Sequence, residues 1–94
     1  MAGADDYVAP RTPLERELAG VLEQMLGIDR VGVYDSFFEL GGFSLLANQL
    51  TARIAARYGV RLALRNVFEC PTVHELAGFI VRARGERLEM EAGT

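Results

Sequence analysis

Phe37-Phe38-Glu39-Leu40-Gly41-Gly42-Phe43-Ser44-Leu45-Leu46 sets a single hydroxyl between a glycine pair and the start of a long helical pattern. Consecutive glycines permit φ > 0 and close backbone approach, so a turn is expected at Gly41-Gly42. Ser44 falls where an N-cap would sit, ahead of a run that reads as helical for more than a dozen residues. A helix start leaves amides unbonded and carries the positive end of the dipole. A phosphate attached to this hydroxyl would therefore be well placed.

That helix is expected to run from Ser44 or Leu45 to about Tyr58, with Leu46, Leu50 and Ile54 as its buried ridge and Ala47, Ala55 and Tyr58 beside them. Leu45 falls off that ridge and Gly59 is the expected C-cap. Before the glycines, residues 28–43 show no sustained period yet carry Ile28, Val31, Val33, Tyr34, Phe37, Phe38 and Leu40. So apolar a connection predicts a structured, Ω-like loop pinned to the core. Ser36-Phe-Phe-Glu39 has the spacing of a capping box, and Phe37 or Phe38, with Leu40, is expected to lock the glycine turn.

The same capping logic fixes the outer helices. Thr12-Pro13-Leu14-Glu15 combines an N-cap threonine, proline at the first helical position and glutamate three residues on. Leu14, Leu18, Val21, Leu22 and Met25 follow as one apolar stripe, with Glu15, Arg16, Glu17 and Glu23 outside it and Gly27 as C-cap. Residues 60–64 alternate as a connector or a short strand without a partner, and 65–69 form at most one helical turn, stopped by Cys70-Pro71, with Phe68 in the core. Thr72-Val-His-Glu75 opens the last helix, whose stripe is Val73, Leu76, Ala77, Ile80 and Val81. These elements predict an all-α fold: a small four-helix bundle of three main helices and one short helix, with a long structured loop between the first two. Residues 1–9 read as a disordered linker, 10–84 as the domain, and 85–94 as a charged tail that frays.

The 94 residues fit one domain. No apolar run approaches the length needed to span a bilayer, and no signal-peptide pattern opens the chain, so a soluble cytoplasmic monomer is expected. The net charge of −3 argues against a nucleic-acid surface. All ten basic residues are arginine; Arg53, Arg57, Arg61 and Arg65 lie near one another and read as a mixed, solvated or partner-facing surface. One cysteine, Cys70, and one histidine, His74, are too few for a disulfide or a structural zinc site.

Ser44 as a hydrolase nucleophile would need a base oriented by a third group. The only histidine lies at the predicted start of the last helix, and neither the elbow's second glycine nor a preceding strand is present. The absence of lysine excludes a Walker-type phosphate loop. His74 reads as a solvated member of a capping box and Cys70 as a small, half-buried side chain. Asp35 and Glu39 have the look of paired carboxylates, but a capped loop turn explains Glu39 without chemistry. No active site of the chain's own is expected.

Asp35-Ser-Phe-Phe-Glu-Leu-Gly-Gly-Phe-Ser-Leu-Leu resembles the signature of peptidyl carrier (thiolation) domains of nonribosomal peptide synthetases. Ala9-Pro-Arg-Thr-Pro-Leu-Glu and Leu26-Gly-Ile-Asp-Arg-Val-Gly-Val-Tyr-Asp-Ser resemble the first helix and loop of such domains, and Val67-Phe-Glu-Cys-Pro-Thr-Val-His-Glu-Leu-Ala their last two helices. The resemblance spans Pro10 to about Val81. It implies 4′-phosphopantetheine attached to Ser44 by a phosphopantetheinyl transferase from coenzyme A. It also implies aminoacyl or peptidyl thioesters exchanged with an adenylation domain and with a condensation, tailoring or release domain. Phe43 departs from the family, where histidine or aspartate commonly precedes the serine. Phe43, Leu45, Arg65 and Val67 are the expected partner contacts. Two other readings stand beside this one: an acyl carrier of polyketide or fatty-acid synthesis, disfavoured by Arg53 and Arg57 and the missing acidic residues in the second helix, and a non-catalytic helical interaction domain.

Overall fold

The computed structural model describes residues 7–92, and they are all-helical in architecture. Four helices follow in order: α1 (Pro13–Leu26), α2 (Ser44–Tyr58), the short α3 (Leu64–Glu69) and α4 (Val73–Ala92). The closest packing pairs α1 with α4 and α2 with α3. This is the expected bundle. Among the described residues no strand forms, and the connector ahead of α3 instead buries Val60 and Leu62 in the core.

α1 begins at its predicted capping box. Thr12 Oγ1 accepts the Glu15 N–H at 3.0 Å, and Glu15 Oε1 accepts the N–H groups of Arg11 at 2.9 Å and Thr12 at 3.3 Å. That reach turns the Glu15 carboxylate inward, so Glu15 is buried rather than lying outside the apolar stripe. Its hydrogen bonds offset the loss of hydration. Leu18, Val21 and Leu22 form the buried centre of the stripe, while Leu14 and Met25 pack at its margin. Gly27 closes the helix with φ 67°.

In α2 the ridge is shifted by one residue. Ala47, Leu50 and Ile54 are buried and Leu46 only partly so, because i, i+3 and i+7 from Ala47 face the other helices. Gly59 is the C-cap, as expected. α3 spans six residues, too few to bury more than one face. Val67 takes that face and is fully buried, so Phe68, expected in the core, is 49% exposed. Phe68 stacks instead on Phe38, with ring centroids 4.8 Å apart and planes 2° from parallel.

α4 opens with Thr72 Oγ1 accepting the Glu75 N–H at 3.2 Å, and the Thr72 hydroxyl donates to Glu75 Oε1 at 2.9 Å. Val73, Leu76, Ala77 and Ile80 are buried. Val81, expected with them, is 62% exposed, since it lies about 80° around the helix from Val73. The helix does not stop near Gly85 but continues to Ala92. A helical glycine costs only about 1 kcal/mol relative to alanine, and the residues that follow it (Glu, Arg, Leu, Glu, Met, Glu, Ala) are mostly strong helix formers. Residues 1–6 of the expected linker and 93–94 of the expected tail lie outside the described residues. Residues 7–9, however, are seated on the domain: the Val8 carbonyl accepts the Val33 N–H at 2.9 Å.

The long loop between α1 and α2 is held through its main-chain amides, which bond to side-chain carboxylates and to a backbone carbonyl. Val31 N–H donates to Glu23 Oε2 at 3.0 Å, Gly32 N–H to Asp35 Oδ2 at 2.9 Å and Phe37 N–H to the Pro71 carbonyl at 2.8 Å. Val31, Val33 and Phe37 are fully buried. The loop is thus part of the core, and it delivers the chain to the start of α2 in a fixed place.

Candidate functional site

The two glycines ahead of Ser44 do different work. Gly41 adopts φ 113°, a conformation that L side chains rarely take. Gly42 instead allows close approach: a Cβ there would stand inside the van der Waals envelope of the Phe37 ring. Its N–H donates to the Phe37 carbonyl at 2.9 Å, and the preceding turn is closed by Leu40 N–H to the Ser36 carbonyl at 3.0 Å. Main-chain bonds hold that turn; among the described residues no Ser36–Glu39 side-chain cap forms. Phe37 is the lock, and Phe38 meets it edge-on with centroids 5.2 Å apart.

Ser44 is the first residue of α2 and not its N-cap, which is Phe43 with extended dihedrals (φ −150°, ψ 178°). The Phe43 carbonyl accepts the Ala47 N–H at 2.8 Å, the first bond of the helix, and so draws Ser44 into helical geometry. Phe43 supplies no side-chain acceptor and the first turn contains no acidic residue. The leading amides of α2 are therefore unclaimed by any capping side chain, and the exposed Ser44 hydroxyl stands among them. Phe43 is 55% and Leu45 60% exposed, flanking the hydroxyl, and Arg65 on α3 is exposed as well. Val67, expected on the same face, has its side chain in the core; half-exposed Phe68, next to it, presents the apolar surface on α3. The sequence signal for this exchange was weak, because a six-residue helix shows no full period.

His74 is not brought to Ser44. Its Nδ1 lies 3.6 Å from Glu15 Oε2 and its ring centroid 5.1 Å from that of Tyr34, whose hydroxyl accepts a bond from Arg11 Nη2 at 2.9 Å. Glu15 is held below the usual carboxylate range, first by the Arg11 N–H and then by the Thr12 N–H and His74, against the opposing effect of burial. A depressed carboxylate stabilises the fold above its unfolded value, 4.5, and loses that contribution as pH falls through the lower folded value. Denaturant titrations from pH 6 downward are expected to show Glu15→Gln about 1 kcal/mol less stable than the parent near neutrality, with the gap closing below pH 4.5. A gap constant with pH would show that the carboxylate's charge plays no part.

Two further titratable groups are shifted. Tyr58 is pushed up to about 12 by burial and by donating its hydroxyl proton to Glu17 Oε1 at 2.8 Å, a bond that ties the end of α2 to α1. Burial, with Glu75 and Glu69 nearby, raises the Cys70 thiol. Arg57 reaches Glu17 at 3.9 Å in an exposed pair, and Arg53 and Arg61 are also exposed. Among the described residues no three His, Cys, Asp or Glu side chains group to hold a metal, and no helix is long and apolar enough to cross a membrane.

Comparison with known proteins places this geometry. The family described as "Phosphopantetheine attachment site" matches residues 16–80. A linear gramicidin synthase of Brevibacillus parabrevis is 51% identical over 78 residues, which are 83% of this chain but 2% of that synthase. Among solved structures, one of the phosphopantetheine transferase Sfp in complex with coenzyme A and a peptidyl carrier protein aligns with a TM-score of 0.79 and 37% identity, over 81% of this chain and 99% of the matched one. The McyG A-PCP structure complexed with phenylalanyl-adenylate aligns at 0.77 and 33% identity, over 81% of this chain and 12% of that one. The domain thus corresponds to a small part of much longer synthetases, and with its helices, its glycine turn and its exposed serine the chain belongs to the phosphopantetheine attachment site family.

Proposed function

We propose that residues 10–84 form a peptidyl carrier domain of nonribosomal peptide synthesis, with 4′-phosphopantetheine joined to Ser44 through a phosphodiester. The observation that carries this reading is the exposed Ser44 hydroxyl at the first position of α2, directly after the Gly41-Gly42 turn. The residues present fit the group. The leading amides and the helix dipole favour the phosphodiester's charge, and no first-turn carboxylate opposes it. The arm supplies a thiol on which aminoacyl or peptidyl groups are held as thioesters. The chain itself holds the tether at a fixed helix end, which makes reactions at successive partners effectively intramolecular.

The domain has no active site of its own in this reading. A phosphopantetheinyl transferase brings coenzyme A, magnesium and the base; an adenylation domain loads the arm; a condensation, tailoring or release domain takes the cargo, all in the cytoplasm. Phe43, Leu45, Arg65 and Phe68 form the face these partners meet, with Val67 supporting it from below. Such contacts are small and short-lived, since the carrier leaves each partner in turn. Incubation with a promiscuous transferase and coenzyme A, followed by intact mass, tests the assignment. A gain of one phosphopantetheinyl group is expected, and an unchanged mass would leave only a helical interaction domain. Loading of the modified chain by an adenylation domain, in preference to acyl transfer, separates a peptidyl carrier from an acyl carrier.

The half-exposed Phe43 ring is part of that face and the point where the chain departs from its family. Phe43→His is expected to change transfer with at least one partner by about fivefold, the effect of losing one contact worth about 1 kcal/mol. Equal rates with every partner would remove Phe43 from the face.

A further inference from the structure

Residues 7–10 enter the domain across the long loop, and a single buried residue of that loop, Val33, bonds in two directions. Its N–H donates to the Val8 carbonyl at 2.9 Å and its carbonyl accepts the His74 N–H of α4 at 3.0 Å. The entry segment is clasped on both sides of this bond. The Arg30 guanidinium sits 3.8 Å from the centroid of the Tyr7 ring. Between them Gly32 leaves little room for a side chain: a Cβ there would lie 3.0 Å from Asp35 Oδ2, 3.1 Å from Tyr7 Cδ1 and 3.3 Å from the Val8 nitrogen. The entry chain thus rests directly on the loop backbone. Farther along the same loop, Phe37 N–H donates to the Pro71 carbonyl at 2.8 Å and Gly42 N–H to the Phe37 carbonyl at 2.9 Å, two residues before Ser44.

Val33 is fully buried, so its amide has no ready exchange of partner. Lifting Val8 either leaves that N–H unpaired, which is costly, or draws Val33 out with it. The second course loosens the loop that ends at the glycine turn. We propose that residues 7–10 act as a strap: seated, they hold the loop in the geometry that places Ser44, and drawn off, they release it. Movement of whatever chain precedes Tyr7 is then felt at the attachment site through Val33. This inference concerns the loop's rigidity and stands whether or not Ser44 is modified.

Spatial connection alone does not establish coupling, so the test measures the loop directly. Amide hydrogen exchange on the full unmodified chain is followed residue by residue in the parent, in Tyr7→Ala, and in Arg30→Gln, which removes the cation from an exposed position. In both variants the Val33 N–H is expected to exchange about fivefold faster, the scale of a lost cation–π contact, with Phe37 and Gly42 accelerating alongside it. The amides of Leu22 and Leu50, within α1 and α2, are expected to keep their parent rates. Acceleration of Val33 alone, or of none of the three, would overturn the coupling. So would equal acceleration of Leu22 and Leu50 in both variants, because the strap would then support the whole domain and not the loop.

Discussion

Ser44→Ala is expected to fold as the parent does and to gain no mass from coenzyme A and a phosphopantetheinyl transferase. The two halves of that result rest on different observations. Ser44 is exposed, occupies the first position of α2, and makes no capping bond with its side chain. Alanine is the strongest helix former, so the unfolding free energy should stay within about 0.5 kcal/mol of the parent. The chemical loss is complete because the hydroxyl is the atom to be modified, and intact mass reads it as present or absent. A mass gain that survives the substitution would move the attachment elsewhere and refute the site. A large loss of stability would mean that the hydroxyl supports the fold, contrary to its exposure.

Gly42→Ala should produce the converse: the hydroxyl retained and the fold weakened. The added methyl meets the ring of Phe37, which is fully buried and touched edge-on by Phe38, so the ring cannot simply swing aside. Overpacking of this kind costs about 3 kcal/mol, a large part of the 5–10 kcal/mol or so expected for a domain of this size. Urea unfolding at neutral pH measures it. The cause can be isolated with a double-mutant cycle. In a Phe37→Leu background the obstructing ring edge is gone, and Gly42→Ala should cost at least about 1 kcal/mol less than it does in the parent. A cost below about 0.5 kcal/mol in the parent, or equal costs in both backgrounds, would show that the ring does not enforce glycine at this position. The neighbouring Gly41 is required for another reason, its φ of 113°, and relaxing Phe37 should not rescue a substitution there.

The helix starts were legible because capping is local. Thr12 with Glu15 and Thr72 with Glu75 each place an acceptor within three residues of the amide it satisfies, and both bonds form. Gly27 and Gly59 likewise end their helices where the pattern stops. What sequence spacing could not give was set by contacts between distant residues. Glu15 has the pattern of an outward charge, yet two amides and His74 turn it inward. Phe68 and Val67 exchange places because Phe38, thirty residues earlier in the chain, offers a ring to stack upon. Ser44 lies one position deeper than its N-cap reading, since the loop delivers Phe43, not Ser44, in extended geometry. Residues 7–9 lacked any periodic signal because their order comes from the backbone of residues 32 and 33. The motif that relates the chain to its family was readable in the sequence; which apolar side chains stand exposed around Ser44 was only partly so.

The raised Cys70 thiol bears on the fidelity of such a carrier. A domain that carries activated thioesters brings them near every nucleophile it owns, and thiol–thioester exchange needs a thiolate. Cys70 is half-buried, and burial with Glu75 and Glu69 favours its protonated form beyond the ordinary value of 9.0. At neutral pH the chain's one native thiol is thus a poor acceptor. Under the proposed function, an acyl group on the arm would meet in Cys70 a weaker competitor than an ordinary thiol.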